Sequence, residues 1–390
     1  MEAPVTEQTP QEELRAWTIL VRAPGINAER LRQALLNLPD AARLVSASPR
    51  EMEQLGLPEN ARKYLAAACS SRPPEAGLID ADLAWLAAGA DRRLVPLNSP
   101  DYPPLLAQTS GAPLALYVRG ALGALQLPQL AIVGSRNPTA SGRETAFAFA
   151  RHLAGCGLAI TSGLAEGIDA AAHRGALAAN VATIAVCGTG LGEVYPAQHA
   201  ELAEQIAARG ALVSEFPPDT PARRENFPQR NRIISALALG TLVVEAARQS
   251  GSLITARFAA EQGREVFAIP GSIHSPLSRG CHRLIRDGAK LVETADDVLA
   301  ELGMVLQAAR GDTQQEHAGA ARAAVPALDK EYEILLDALG FDPTGIDALV
   351  ERSGLKPEAI ASMLLILELR GEVETRPGGR YCRRANQAPK

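Results

Sequence analysis

Between residues 130 and 292, short apolar runs alternate with longer helix-patterned stretches, and this alternation constrains the fold more than any other feature of the chain. The runs are Leu130–Val133, Leu158–Thr161, Val181–Val186, Ala211–Val213, Thr241–Val244, Glu265–Ile269 and Lys290–Val292. Between them lie Arg143–Leu153, Ile168–Ala178, Ala200–Ala208 and Leu253–Gln262. Strand and helix in strict alternation predict an α/β fold with an open, mostly parallel sheet and helices on both faces.

The flanks read differently, and 390 residues leave room for two to four domains. In residues 1–90, apolar positions such as Leu14, Trp17, Leu20 and Val21 share one helical face. The segment Ala23-Pro24-Gly25-Ile26-Asn27 then breaks the helix and caps another. An all-α N-terminal domain is expected there. Its turn is either a phosphate-facing hairpin or simply a packing hairpin. The α/β core is assigned residues 91–304. Residues 305–327, rich in Ala, Gly and polar side chains, are expected to form a linker. In 328–390, helices are predicted over Glu331–Leu339, Ile346–Glu351 and Pro357–Arg370. Strands at Glu372–Thr375 and Arg380–Arg383 flank Pro377-Gly378-Gly379, completing a winged-helix pattern.

Glycine and hydroxyl clusters follow the predicted strands: Val133-Gly134-Ser135-Arg136, Thr161-Ser162-Gly163-Leu164, Cys187-Gly188-Thr189-Gly190, and Glu245 with Ser250-Gly251-Ser252. Strand ends of an open α/β sheet line one crevice. Glycine lets backbone approach closely, and helix N-termini offer unpaired N–H groups to anions. Four such loops in phase predict a phosphate-bearing ligand. There is no G-x-x-x-x-G-K-[ST] segment. Gly188-Thr189-Gly190-Leu191-Gly192 also lacks the dinucleotide spacing and follows the third strand, not the first.

Charge narrows the choice. The chain is acidic overall, at −5, yet Arg223, Arg224, Arg230 and Arg232 face only Glu225 in one short stretch. Arg279, Arg283, Arg286 and Lys290 face only Asp287 in another. With Arg136, this exceeds what the phosphates of one nucleotide require and suits an extended polyanion, a nucleic-acid backbone. Phe227 sits in what reads as a polar, Pro-bearing loop, where it either stacks on an unpaired base or anchors the loop. Aromatics are only 4 % of the chain, which argues against a surface tiled with rings.

Catalytic and metal chemistry find little footing. Asp169 and His173 lie four residues apart on a helical face, either orienting a general base or bracing the helix. Glu215 and Glu245 are the acid/base candidates of a rival reading, a nucleotide-processing hydrolase. No metal site is expected. The five cysteines stand alone without a C-x-x-C pair, as in a reduced, cytoplasmic protein. No apolar run reaches the ~18 residues of a membrane span, and the acidic start MEAPVTEQTPQEEL is unlike a signal peptide. A winged-helix regulator is a third reading. The helix Pro357–Arg370 is mostly apolar and so suits packing better than groove readout, although Arg380, Arg383 and Arg384 could touch a backbone.

In order and spacing, VGSRNPTASG (Val133–Gly142), SGLAEGIDAAAH (Ser162–His173), GTGLGEVYP (Gly188–Pro196), FPQRNRII (Phe227–Ile234), SGSLITA (Ser250–Ala256) and REVFAIPG (Arg264–Gly271) resemble the bacterial DNA-processing protein A family, DprA or Smf. The resemblance covers residues 90–300 and extends weakly to both flanks. It implies an extended Rossmann core between a sterile-alpha-motif-like helical domain and a winged-helix-like domain. It also implies a non-enzymatic, cofactor-free role: binding and protecting incoming single-stranded DNA in natural transformation and helping to load the RecA recombinase. A homodimer through the Rossmann domain is implied too, with duplex DNA a further candidate partner. By motif match Arg136 is the leading phosphate contact, followed by Ser135, Ser162, Gly163, Arg230, Asn231, Arg232, Ser250, Gly251 and Ser252. Gly134, Arg223, Arg224, Phe227 and Lys290 complete the expected DNA-binding set. Gly192, His199, Ser141 and His282 depart from the family's usual Asp, Asn, Tyr and Asn, and none of these changes removes a basic group.

Overall fold

The computed structural model describes residues 10–70, 75–310, 330–340, 342–369, 373–376 and 380–383. Residues up to 309 form one compact unit and those from 310 a second.

Six helices open the first unit: α1 (Pro10–Arg22), α2 (Ala28–Asn37), α3 (Ala41–Ser46), α4 (Pro49–Gln54), α5 (Glu59–Ala68) and α6 (Ala76–Ala87). Local chemistry sets their ends. The Asn27 side chain accepts from the Arg30 N–H, and Ser48 with Glu51 forms a capping box. The inward residues Trp17, Leu20, Leu31, Leu44, Leu65 and Ile79 share one core with Tyr117, Ile206 and Leu212, which belong to the α/β part. The helical segment therefore packs as a layer on the sheet, and the boundary near residue 90 does not divide two separate cores.

The α/β part runs β1 (Arg92–Pro96), a short α7 (Pro104–Ala107), β2 (Ala115–Gly120), β3 (Gln129–Val133), α8 (Ala140–Gly155), β4 (Ala159–Ser162), α9 (Ile168–Ala178), β5 (Thr183–Val186), α10 (Ala200–Arg209), β6 (Ala211–Ser214), α11 (Asn226–Leu237), β7 (Gly240–Val243), α12 (Ser252–Glu261), β8 (Glu265–Ala268), α13 (Arg279–Arg286), β9 (Lys290–Leu291) and α14 (Ala295–Arg310). The nine strands are ordered β1-β2-β6-β5-β4-β3-β7-β8-β9. β3 to β9 are all parallel, while β2 joins β6 antiparallel and β1 joins β2 antiparallel. The seven parallel strands match the seven apolar runs. β1 and β2 lie outside that alternation; β1, Arg92-Arg93-Leu94-Val95-Pro96, is short and carries two arginines in five residues. Order reverses between β3 and β7, where Val133 pairs with Val243. That reversal is the switch point at which open α/β sheets bind ligands.

Two expectations need correction. The segment around Phe227 and Pro228 is the first turn of α11, not a loop, because proline is tolerated where backbone N–H groups have no helical partner anyway. The linker expected over 305–327 begins inside α14, whose Leu-Gln-Ala-Ala-Arg end holds no helix breaker; residues 311–327 lie outside the described residues.

The second unit comprises α15 (Lys330–Leu339), β10 (Thr344–Gly345), α16 (Ile346–Ser353), α17 (Pro357–Leu369), β11 (Val373–Arg376) and β12 (Arg380–Arg383), with strands ordered β10-β12-β11. This is a winged helix. Ile360, Met363, Leu364 and Leu367 of α17 pack with Leu335, Leu336 and Leu349 in its core. Pro377-Gly378-Gly379 and Arg384 lie outside the described residues. No helix among the described residues is long and apolar enough to cross a membrane.

Candidate functional site

A crevice of about 710 Å3 opens over the carboxyl ends of β3 and β7. Three segments wall it: the loop after β3, the first turns of α11, and the loop leading into α12. Gly134, Ser135, Arg136, Arg224, Phe227, Arg230, Asn231, Ser250, Gly251 and Ser252 all line it, as expected from their positions after the strands.

The β3 loop is held from across the switch point. Glu245, just past β7, accepts from the Thr139 N–H at 2.9 Å and from its hydroxyl at 2.7 Å, while the Thr139 hydroxyl caps α8 at the Gly142 N–H. Glu245 thus anchors the loop that presents Arg136. Arg136 is exposed, makes no ion pair among the described residues, and lies 5.6 Å over the Phe227 ring. Opposite, the Ser250 and Ser252 hydroxyls are 2.7 Å apart at the start of α12. The Asn231 amide donates to the Gly251 carbonyl at 3.4 Å. Arg224 and Arg223 are exposed at the mouth, although only Arg224 lines the crevice.

Arg230 departs from the reading as a phosphate contact. It is only 4 % exposed. Its guanidinium donates to the carbonyls of Gly163 (2.7 Å) and Val186, and its Nε donates to Asn231 Oδ1 at 3.1 Å. A Cβ on Gly163 would collide with that guanidinium, so glycine is required there. Asp169 completes the group, accepting from the Gly163 and Ala165 N–H groups at 3.1 and 3.4 Å. Burial lowers the Arg230 pKa, with Asp169 opposing, and burial raises that of Asp169, with Arg230 opposing. Arg230 is the floor of the crevice, already occupied.

Other expected contacts fall elsewhere. The Ser162 hydroxyl is buried and donates to the Ile132 carbonyl at 2.6 Å. Arg232 pairs with Glu215 at 2.5 Å, away from the crevice lining. Burial pushes the Glu215 carboxyl up, against the pull of Arg232. Lys290, on the edge strand β9, pairs with Glu301 at 3.2 Å, and Arg283 lines a separate groove between α12 and α13. The third glycine loop is covered: a Cβ on Gly188 would come within 2.7 Å of the Phe227 ring. Four loops were expected to share the site; the first and fourth do so directly. Asp169 and His173 form no dyad, since His173 Nδ1 faces the Thr183 hydroxyl at 2.7 Å. Sequence reasoning missed Asn137, Tyr195, Gln249 and Thr255 as lining residues. Only Tyr195, a lone ring in the Gly188–Pro196 motif, carried a signal that could have marked it.

The result is a concave surface with arginines and hydroxyls around its rim, the buried Arg230 guanidinium and Asp169 carboxylate beneath, and two aromatic rings. Fold and site together define a Rossmann-type α/β protein with an arginine-rimmed crevice at its topological switch point. A family profile described as DNA recombination-mediator protein A matches residues 93–303, and one described as the DprA winged helix domain matches residues 319–379. The chain belongs to the DNA recombination-mediator protein A family, the DprA/Smf proteins. It is similar to Protein Smf of Escherichia coli K12, 45 % identical over 302 residues that span 77 % of this chain and 80 % of the relative. The DNA processing protein DprA of Streptococcus pneumoniae R6 is 46 % identical over 200 residues, 51 % of this chain and 71 % of that one. The X-ray structure of the S. pneumoniae DprA aligns with a TM-score of 0.63 at 35 % identity, covering 73 % of this chain and 97 % of that chain.

Proposed function

We propose that this protein binds single-stranded DNA across the switch-point crevice and acts as a recombination mediator. In this reading it shields incoming DNA during natural transformation and helps load the RecA recombinase. It works in the cytoplasm as a homodimer through the α/β part, and by binding, not catalysis. Arg136 and Arg224 take backbone phosphates, with Ser135, Ser250 and Ser252 supplying hydroxyl hydrogen bonds. The observation that carries the reading is Arg136: exposed, without an ion pair among the described residues, and held over an aromatic ring at the switch point. Membership of a family described as recombination mediators supports it. The hydrolase reading is weakened because both of its candidate groups are engaged, Glu245 with Thr139 and Glu215 with Arg232.

The test is a titration of labelled single-stranded and duplex oligonucleotides at two salt concentrations, with nucleotide hydrolysis assayed alongside. Affinity for the single strand that falls steeply with salt, without turnover, is the expected result. Turnover of a nucleotide, or no salt-dependent binding, overturns the reading.

A further inference from the structure

Two aromatic rings meet at the crevice, and their surroundings differ. Phe227 is half-buried, seated against the Gly188 backbone and beneath the Arg136 guanidinium. Its contacts make it part of the wall. Tyr195, in the loop between β5 and α10, has its ring centroid 5.5 Å from that of Phe227 with the planes tilted by 45°. It is 51 % exposed. Of the large apolar side chains left exposed, Tyr195 and Ile254 both line this crevice. A half-exposed tyrosine that does not fill the core offers a flat, polarisable face, fixed along one side by Phe227 and set at the same crevice as the exposed Arg136.

We propose that Tyr195 is the platform on which an unpaired base of the bound strand stacks. Tyr195 then makes the crevice select single strands over duplex, whose base faces are already covered by their neighbours. The role of Phe227 is to brace Tyr195 and Arg136. This rests on the single-stranded DNA reading above and adds to it a residue that reads bases where the arginines read phosphates.

The experiment uses the full chain as wild type, Tyr195→Ala, Tyr195→Phe and Arg136→Ala. Each is titrated against a labelled oligothymidylate and an abasic oligonucleotide of equal length at several salt concentrations, with thermal melts to verify folding. Tyr195→Ala is expected to weaken oligothymidylate binding about 5- to 150-fold, the range for losing one base–aromatic stack. Its salt slope and abasic affinity stay at the wild-type level, because no charge is removed. Tyr195→Phe retains binding within about twofold, since the ring carries the contact. Arg136→Ala loses affinity for both oligonucleotides. Wild-type affinity in Tyr195→Ala, or an equal loss on the abasic strand, overturns the assignment of Tyr195. Wild-type protein that binds neither oligonucleotide overturns the underlying reading instead.

Discussion

Replacing Arg230 with Met separates a structural arginine from a ligand-binding one. The guanidinium satisfies the carbonyls of Gly163 and Val186, orients Asn231, and faces the buried Asp169 carboxylate. Methionine roughly fills the space but supplies none of these bonds. Two carbonyls lose their donor and a buried carboxylate loses its nearest cation. Leaving buried carbonyl acceptors without a donor costs about 1–3 kcal/mol each, so the loss is a large share of the ~5–15 kcal/mol that holds a typical protein folded. Urea denaturation of wild type, Arg230→Met, Asp169→Asn and the double variant measures this. The double variant should recover about 1–3 kcal/mol relative to the sum of the singles, because the orphaned charge is gone. Under denaturant-free conditions, where Arg230→Met remains folded, its DNA salt slope should match wild type. A variant that is as stable as wild type, with a slope reduced by about one unit, would refute the argument. It would return Arg230 to the phosphate-contacting role that its motif suggested.

Three further outcomes follow from other parts of the molecule. Arg136→Ala should keep its melting temperature while its affinity falls across all sequences and its salt slope drops by about one unit, measured by fluorescence anisotropy. Asp82, fully buried on α6, accepts from Arg22 at 2.7 and 2.8 Å and from the Tyr117 hydroxyl at 3.1 Å, tying the helical layer to the sheet. Burial, which disfavours charge on Arg22, is overcome by Asp82 and Asp219, so its pKa is raised. Asp82→Ala should cost about 3–5 kcal/mol in denaturant unfolding, and local proteolysis should cut first within residues 10–87. His173 is neutral in the fold: burial first, then His199 and Arg230, push its pKa down to about 3 from 6.5. Between those values the unfolded chain binds a proton that the folded chain does not. The stability His173 contributes is therefore complete above about pH 6.5 and is eroded as pH falls toward 3. His173→Asn can keep a donor to Thr183 without titrating, so the wild type should lose about 2 kcal/mol more than the variant between pH 7 and pH 5. Equal pH dependence of the two would disprove the assignment. Asp169 and Glu215, whose raised pKa values favour stability at lower pH, are common to both proteins and cancel in the comparison.

Sequence alone determined the seven parallel strands, four of the helices between them (α8, α9, α10 and α12), where the glycine and hydroxyl loops fall, and the winged-helix pattern at residues 330–383. These depend on hydrophobic periodicity and local turn chemistry, which act over a few neighbouring residues. Tertiary structure decided the rest. Arg136, Arg230 and Arg232 are the same residue type in motifs of similar weight. One stands free on the rim, one is locked under the crevice with Asp169, and one is paired with Glu215. Ser162 and Ser250 look alike in sequence, but the first bonds the Ile132 carbonyl in the sheet and the second lies at the mouth. Tyr195 gained its place only when β5 came to lie two strands from β3, bringing its loop against α11. Burial and charge pairing depend on strand order and long-range packing, so one residue type in one local pattern can become a ligand contact or a structural tie.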